Sequence, residues 1–113
     1  LIDSKGDGHL ATFERPYPAI HCARRLGQAA ERIGISVRCG LHTGEVELRG
    51  PDIAGLAVHL ASRVADQAGP SEVVVSKTIV DLVVGSGIDF ESRGTRELKG
   101  VPGTWELFAV TDA

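Results

Sequence analysis

Apolar and polar residues follow one another in two kinds of pattern along this chain. Where they alternate, or where a short apolar run is bounded by turn residues, the pattern predicts strands, over residues 1–5, 9–13, 37–41, 45–49, 72–75, 89–98 and 104–110. Where apolar residues recur every three or four positions, it predicts helices, over residues 19–33, 55–68 and 77–84. The first two strands are expected to form a hairpin around Gly6-Asp7-Gly8, because glycine adopts the positive φ that tight turns need.

The resulting order, ββαββαβαββ, indicates the α+β class, a ferredoxin-like sandwich in which helices pack on a largely antiparallel sheet. The chain has 113 residues, of which 42% are apolar, and this is enough for one modest core. We therefore expect residues 1–113 to form a single domain. The chain opens Leu1-Ile2-Asp3, with neither an initiator Met nor a signal peptide, and we interpret it as an inner part of a longer protein.

Charge and cysteine content argue against several classes of function. Lys and Arg number 12 against 15 Asp and Glu, a net charge of −3, which does not favour nucleic acid as a partner. No apolar run approaches the length of a membrane span, so we expect no membrane segment in this chain. Cys22 and Cys39 stand outside any Cys-x-x-Cys or His-rich cluster, which argues against a zinc site or a disulfide framework and favours a cytoplasmic location.

Two places carry candidate carboxylate and phosphate chemistry, each with a plainer alternative. Asp7 lies between two glycines, where a hard cation and phosphate oxygens could approach the backbone; the alternative is an ordinary hairpin turn. Asp52, at a helix entrance, precedes His59 and Arg63 at spacings that would let all three line one pocket, with Arg63 suited to gripping a phosphoryl group. Alternatively, the helix dipole favours Asp52, and the other two are surface residues.

Lys99, on a glycine-bracketed loop, is a third candidate. It suits a mobile cation that closes over phosphates, and its alternative is a solvated turn residue. His42 and Glu45 also carry groups that bind metals. Two such groups without a third ligand do not make a zinc site, so we interpret them as structural.

The sequence contains five segments that match a known family in order: Lys5–Phe13, Gly40–Val46, Asp52–Gly55, Val58–Val64 and Leu98–Gly103. Together they resemble the catalytic domain of class III nucleotide cyclases, most closely the bacterial, actinobacterial-type adenylate cyclases. The resemblance implies conversion of ATP, with GTP possible, to a 3′,5′-cyclic nucleotide and pyrophosphate. It also implies a homodimer, or a heterodimer with another cyclase domain, that holds the nucleotide and two Mg²⁺ or Mn²⁺ ions at its interface.

The resemblance gives five residues a role. Asp7 matches a metal aspartate, and Arg63 matches the arginine that stabilises the charge of the transition state. Asp52 matches the residue that accepts from the exocyclic amino group of the base, and Lys99 matches the lysine that reaches the triphosphate. His59 stands where the family commonly has the asparagine that orients the ribose.

Two further departures from the family bear on activity. Asp3 stands at the position usually held by a base-reading lysine. The family's first strand and following helices, which bring the other metal aspartate, have no counterpart here, so we expect this chain alone to be inactive. It could still lend Asp52, Arg63 and Lys99 to an intact partner. The alternatives are a catalytically silent cyclase-like domain that regulates or dimerises with another, and a general α+β interaction module.

Overall fold

The computed structural model describes the backbone of residues 2–4, 9–11, 15–43, 47–49, 52–54, 56–101 and 103–112, and the side chains of residues 15–43, 59–101 and 103–111. Within these ranges the elements follow in the order β1 (Ile2–Ser4), β2 (His9–Ala11), α1 (Pro16–Arg32), β3 (Cys39–Leu41), β4 (Glu47–Arg49), β5 (Asp52–Ala54), α2 (Leu56–Asp66), β6 (Val73–Ser76), α3 (Lys77–Leu82), β7 (Asp89–Glu97) and β8 (Thr104–Asp112).

Six of the described strands form one sheet in the order β2-β1-β3-β6-β8-β7. Strands β3 and β6 run parallel, and every other neighbouring pair in this sheet is antiparallel. The expected α+β class with a largely antiparallel sheet is therefore confirmed. Strands β1 and β2 are the expected antiparallel pair, whereas Asp7, predicted at the tip of their hairpin, lies outside the described residues.

Asp52 begins a strand that the sequence pattern did not predict. Instead of standing at a helix entrance, it pairs with Arg49 in the separate β4–β5 ladder, and α2 begins only at Leu56. Three residues are too few for a strand period to show in the sequence. Gly50 and Pro51 are residue types typical of tight turns, and they were the signal in the sequence that could have predicted a strand after them.

Helix α1 begins earlier than its apolar spacing indicated, at Pro16. Proline suits a first helical turn, because the N–H that it lacks has no partner within the helix there. The buried face of α1 consists of small and apolar residues at helical spacing: Ala19, Ile20, Ala23, Gly27 and Ala30. The helix ends before Gly34, whose φ of +80° stops the right-handed path as expected.

The sheet separates two apolar clusters. One contains residues of α1, α3, β3, β6 and β8, with Ile20, Leu41, Val75 and Ile79 almost completely buried. The other lies under α2 and contains Leu60, Val64, Val74 and Leu107. Neighbouring residues of β6 divide between the clusters because successive strand side chains point to opposite faces. The candidate site lies on the face that α2 covers.

No helix within the described ranges is long and apolar enough to cross a membrane. Both cysteines are free thiols, Cys22 exposed and Cys39 buried.

Candidate functional site

Helix α2 carries two of the predicted site residues, His59 and Arg63, one turn apart. Its apolar residues Leu60, Ala61, Val64, Ala65 and Ala68 are buried against the sheet. The same helical period leaves His59 and Arg63 partly exposed on a neighbouring flank, at the i, i+4 spacing that places side chains side by side. The packing of α2 therefore presents an imidazole and a guanidinium together.

The Arg63 guanidinium is only partly engaged by the protein. Its Nη1 donates to Asp66 Oδ2 at 3.2 Å, an ion pair in which the two side chains are 31% and 35% exposed. Its Nε is buried and makes no hydrogen bond to a described residue. A buried donor without a partner costs about 1–3 kcal/mol, so an acceptor brought to this guanidinium from elsewhere would stabilise it.

Lys99 stands at the exposed tip of a turn whose two ends are anchored. Leu98 and Val101 are buried in the same cluster as Leu60 and Val64 of α2, and the N–H of Val101 donates to the carbonyl of Leu98 at 3.0 Å. Gly100 is the third residue of the turn and has a φ of +76°. A turn that needs a positive φ at this position favours glycine. The hypothesis of a mobile lysine loop gains no support from this anchoring.

The turn rests directly on His59. A Cβ placed on Gly100 would lie 3.0 Å from His59 Nε2 and 3.6 Å from its Cε1. A side chain at position 100 would therefore press on the imidazole ring, which would have to shift by a few tenths of an ångström. The structure thus brings the Lys99 turn to the helix that carries His59 and Arg63, although the turn and the helix are far apart in sequence.

Two of the three predicted carboxylates lie on strands that contact α2, but the side chains of all three lie outside the described residues. Asp3 belongs to β1, where its backbone pairs with Leu10 on one side and Gly40 on the other. Asp52 belongs to β5, and the side chains of both residues, like Asp7 as a whole, lie outside the described part of the chain. Among the residues that are described, no group of three or more His, Cys, Asp or Glu could hold a metal ion.

His42 is a buried polar residue with structural partners. Its Nδ1 lies 2.7 Å from Ser76 Oγ, and its ring meets that of Trp105 edge to face, with centroids 5.8 Å apart. Burial lowers the pKa of His42 below its ordinary value of 6.5, so the neutral imidazole is favoured. These contacts agree with the structural interpretation of His42. Its partners come from β6 and β8, and no local sequence signal could have identified them.

The chain matches one family model and several known proteins. The model describes the adenylate and guanylate cyclase catalytic domain, and it matches residues 19–112. An uncharacterised protein of Mycobacterium tuberculosis is 36% identical over 101 residues, which cover 87% of this chain and 35% of that protein. The chain therefore spans about a third of the length of this relative.

Two crystal structures show the same fold. The adenylate/guanylate cyclase/hydrolase from Silicibacter pomeroyi superposes with a TM-score of 0.78 and 24% identity, covering 94% of this chain and 68% of that one. The adenylyl cyclase CyaB from P. aeruginosa gives a TM-score of 0.61 and 26% identity, covering 76% of this chain and 50% of that one. Because the family model matches most of its length, the chain belongs to the adenylate and guanylate cyclase catalytic domain family.

Proposed function

We propose that this chain is the nucleotide-binding part of a class III cyclase site. Such a site lies between two cyclase domains and converts ATP to 3′,5′-cyclic AMP and pyrophosphate. Membership of the family supports the reaction, and the likeness to an adenylyl cyclase supports ATP as the substrate. The observation that carries the proposal is the contact of the Gly100 turn with His59, because it unites Lys99 with the helix of Arg63.

The reaction develops negative charge on phosphate oxygens, which basic side chains can bind. The ribose 3′-oxygen attacks the α-phosphorus, the bond from that phosphorus to the bridging oxygen breaks, pyrophosphate leaves, and the hydroxyl proton passes to solvent or a base. Arg63 then binds the negative charge on the phosphate oxygens, because its guanidinium has donors beyond the one that Asp66 occupies. Lys99, exposed at the tip of its turn, provides a compact charge for the triphosphate tail.

The remaining site residues belong to the proposal through the family match. Asp52 accepts from the exocyclic amino group of the base, and Asp3 lies near the base in place of the usual lysine. Asp7 would hold Mg²⁺ or Mn²⁺, which would neutralise phosphate charge and activate the hydroxyl. The described residues include no cluster that fits a metal by itself. The geometry supports the proposal at His59, Arg63 and Lys99, whose roles also come from the family match.

Two domains share the work in this proposal. One supplies the metal aspartates, and the other supplies Asp52, Arg63 and Lys99. Since only Asp7 among these 113 residues matches a metal aspartate, we expect them to give turnover only together with a cyclase domain that has both aspartates, in a homodimer or a heterodimer. A cytoplasmic location, where ATP and GTP are available, is part of the same proposal.

Cyclic nucleotide formation from ATP and from GTP with Mn²⁺ tests the proposal. The chain is assayed alone and mixed with a cyclase domain that has both metal aspartates but whose transition-state arginine is replaced by alanine. We expect product from the mixture only, and more from ATP than from GTP. A stable mixed dimer that makes no product would instead favour the catalytically silent, regulatory domain.

A further inference from the structure

The imidazole of His59 faces the Lys99 turn. The family resemblance predicts that a side chain at this position orients the ribose, but the outer nitrogen of the ring, Nε2, is the atom nearest to the Cβ position of Gly100. Nε2 is the farthest nitrogen of a histidine from the backbone, so it is the one with the greatest reach toward a ligand. In this structure Nε2 lies against the turn.

We propose that His59 is a positioning residue, which supports the Gly100 backbone and thereby sets where Lys99 stands relative to Arg63. On this account His59 affects the nucleotide through Lys99 and makes no essential bond to the ribose. The inference rests on the proposed function for its effect on catalysis, and on the contact of His59 with Gly100 for its structural content.

Three features of the turn carry this inference. Its two ends are fixed to α2 through the burial of Leu98 and Val101 beside Leu60 and Val64. The bond from the Val101 N–H to the Leu98 carbonyl closes it at 3.0 Å. The middle of the turn has Gly100 against the imidazole. With the ends held by apolar packing, His59 is the described side chain that determines how far the middle can settle toward α2.

A pair of glycine substitutions tests the contact without requiring activity. Gly100→Ala and Gly103→Ala both place a side chain on a residue with positive φ, at +76° and +85°. The Cβ at position 100 meets His59, whereas the Cβ at position 103 has nothing within 4 Å. We expect the Hε1 and Hδ2 NMR signals of His59 to shift in Gly100→Ala and to stay in place in Gly103→Ala. Equal behaviour in the two variants would overturn the proposed contact.

Side-chain replacements at position 59 separate support of the turn from a ribose contact. Glutamine extends an amide to about the place of Nε2, whereas asparagine reaches only about as far as Nδ1. If His59 positions the turn, His59→Gln retains the KM for ATP and His59→Asn raises it, measured in the mixed dimer. If the residue orients the ribose, as asparagine commonly does in the family, His59→Asn retains activity and the inference is wrong.

A double-mutant cycle completes the test. We expect Lys99→Ala to raise the KM for ATP by about tenfold, the equivalent of one charge-assisted hydrogen bond. His59→Asn should then add little in the Lys99→Ala background, because the residue that it positions has gone. Full additivity would overturn the inference. If the wild-type mixture makes no product, the proposed function fails, and the NMR comparison still decides the contact between His59 and Gly100.

Discussion

Gly40 of β3 lies directly beneath Ala65 of α2. A Cβ built on Gly40 would stand 2.2 Å from the backbone nitrogen of Ala65 and 2.6 Å from its Cα, both far inside contact distance. The helix therefore rests on the bare backbone of the strand. Because α2 also carries His59 and Arg63, this glycine sets how close those side chains lie to the sheet.

We predict that Gly40→Ala destabilises the protein by about 3 kcal/mol or more, since neither backbone can yield without moving α2. Urea denaturation measures the loss. Gly27, buried in α1, is the matched control, because a Cβ there would come no nearer than 4.0 Å, to the Ser71 carbonyl oxygen. Gly27→Ala should stabilise the helix by about 0.5–1 kcal/mol. A mild effect at position 40 would mean that α2 does not pack as described.

The buried His42 makes stability depend on pH. Its pKa is lowered by burial in the folded protein, whereas the unfolded chain has the ordinary value of 6.5. As pH falls below about 6.5 the unfolded state binds the proton first, so the free energy of unfolding falls, by at most about 1.4 kcal/mol per pH unit, until the folded pKa is reached. Above about pH 7.5 this loss is absent.

The variant His42→Gln is expected to flatten this dependence. Glutamine fills a similar volume and has no titrating group, and the other histidines remain in both proteins. Chemical denaturation at several pH values between about 5 and 8 gives the slopes, and the slopes rather than the absolute stabilities are compared. An unchanged acid slope in His42→Gln would show that another group is responsible.

Asp66 pairs with Arg63, the residue that we propose to bind phosphate. We expect Asp66→Asn to lower the KM for ATP in the mixed dimer by freeing the guanidinium, and to change the free energy of unfolding by less than about 1 kcal/mol, because the pair is a third exposed. Asp81→Asn breaks a similar exposed pair, with Lys77 on α3, and should leave the KM unchanged. Equal KM values in the two variants would contradict the prediction.

Glu72 holds the turn between α2 and β6. Its Oε1 accepts from the Gly69 N–H at 2.6 Å, and its Oε2 pairs with Arg93. Glu72→Gln retains an acceptor for Gly69 and is expected to lose less than about 1 kcal/mol. Glu72→Ala leaves that N–H unpaired and is expected to lose about 1–3 kcal/mol. Thermal or urea unfolding distinguishes the two, and equal losses would contradict the assigned roles.

Local patterns in the sequence indicated most of the elements. The spacing of small and apolar residues identified α1 and α2, and the apolar run at Val73–Val75 identified β6. The short strand that begins at Asp52 was not predicted, because three residues are too few to show a period. The parallel pairing of β3 with β6 also escaped, since which strands become neighbours depends on packing between distant segments.

The candidate site, like the fold, could be predicted only in part from the sequence. Motif resemblance assigned His59, Arg63 and Lys99 to one site. The contact that joins them is between His59 and Gly100, which are forty-one positions apart. Neither the helical pattern around His59 nor the turn residues around Gly100 indicate it. The glycine at position 40 is similar, because a sequence shows that a side chain is missing but not which helix needs the space. These relationships follow from tertiary packing alone.

We propose that this chain supplies the phosphate-binding residues of a cyclase site. The most direct test is the rate of cyclic AMP formation in the mixed dimer, where the partner has both metal aspartates and lacks its own transition-state arginine. The proposed role of Arg63 predicts product with the wild-type chain and a loss of at least about 10²-fold with Arg63→Ala. An equal rate with Arg63→Ala, or no product from a mixed dimer that forms and binds ATP, would contradict it.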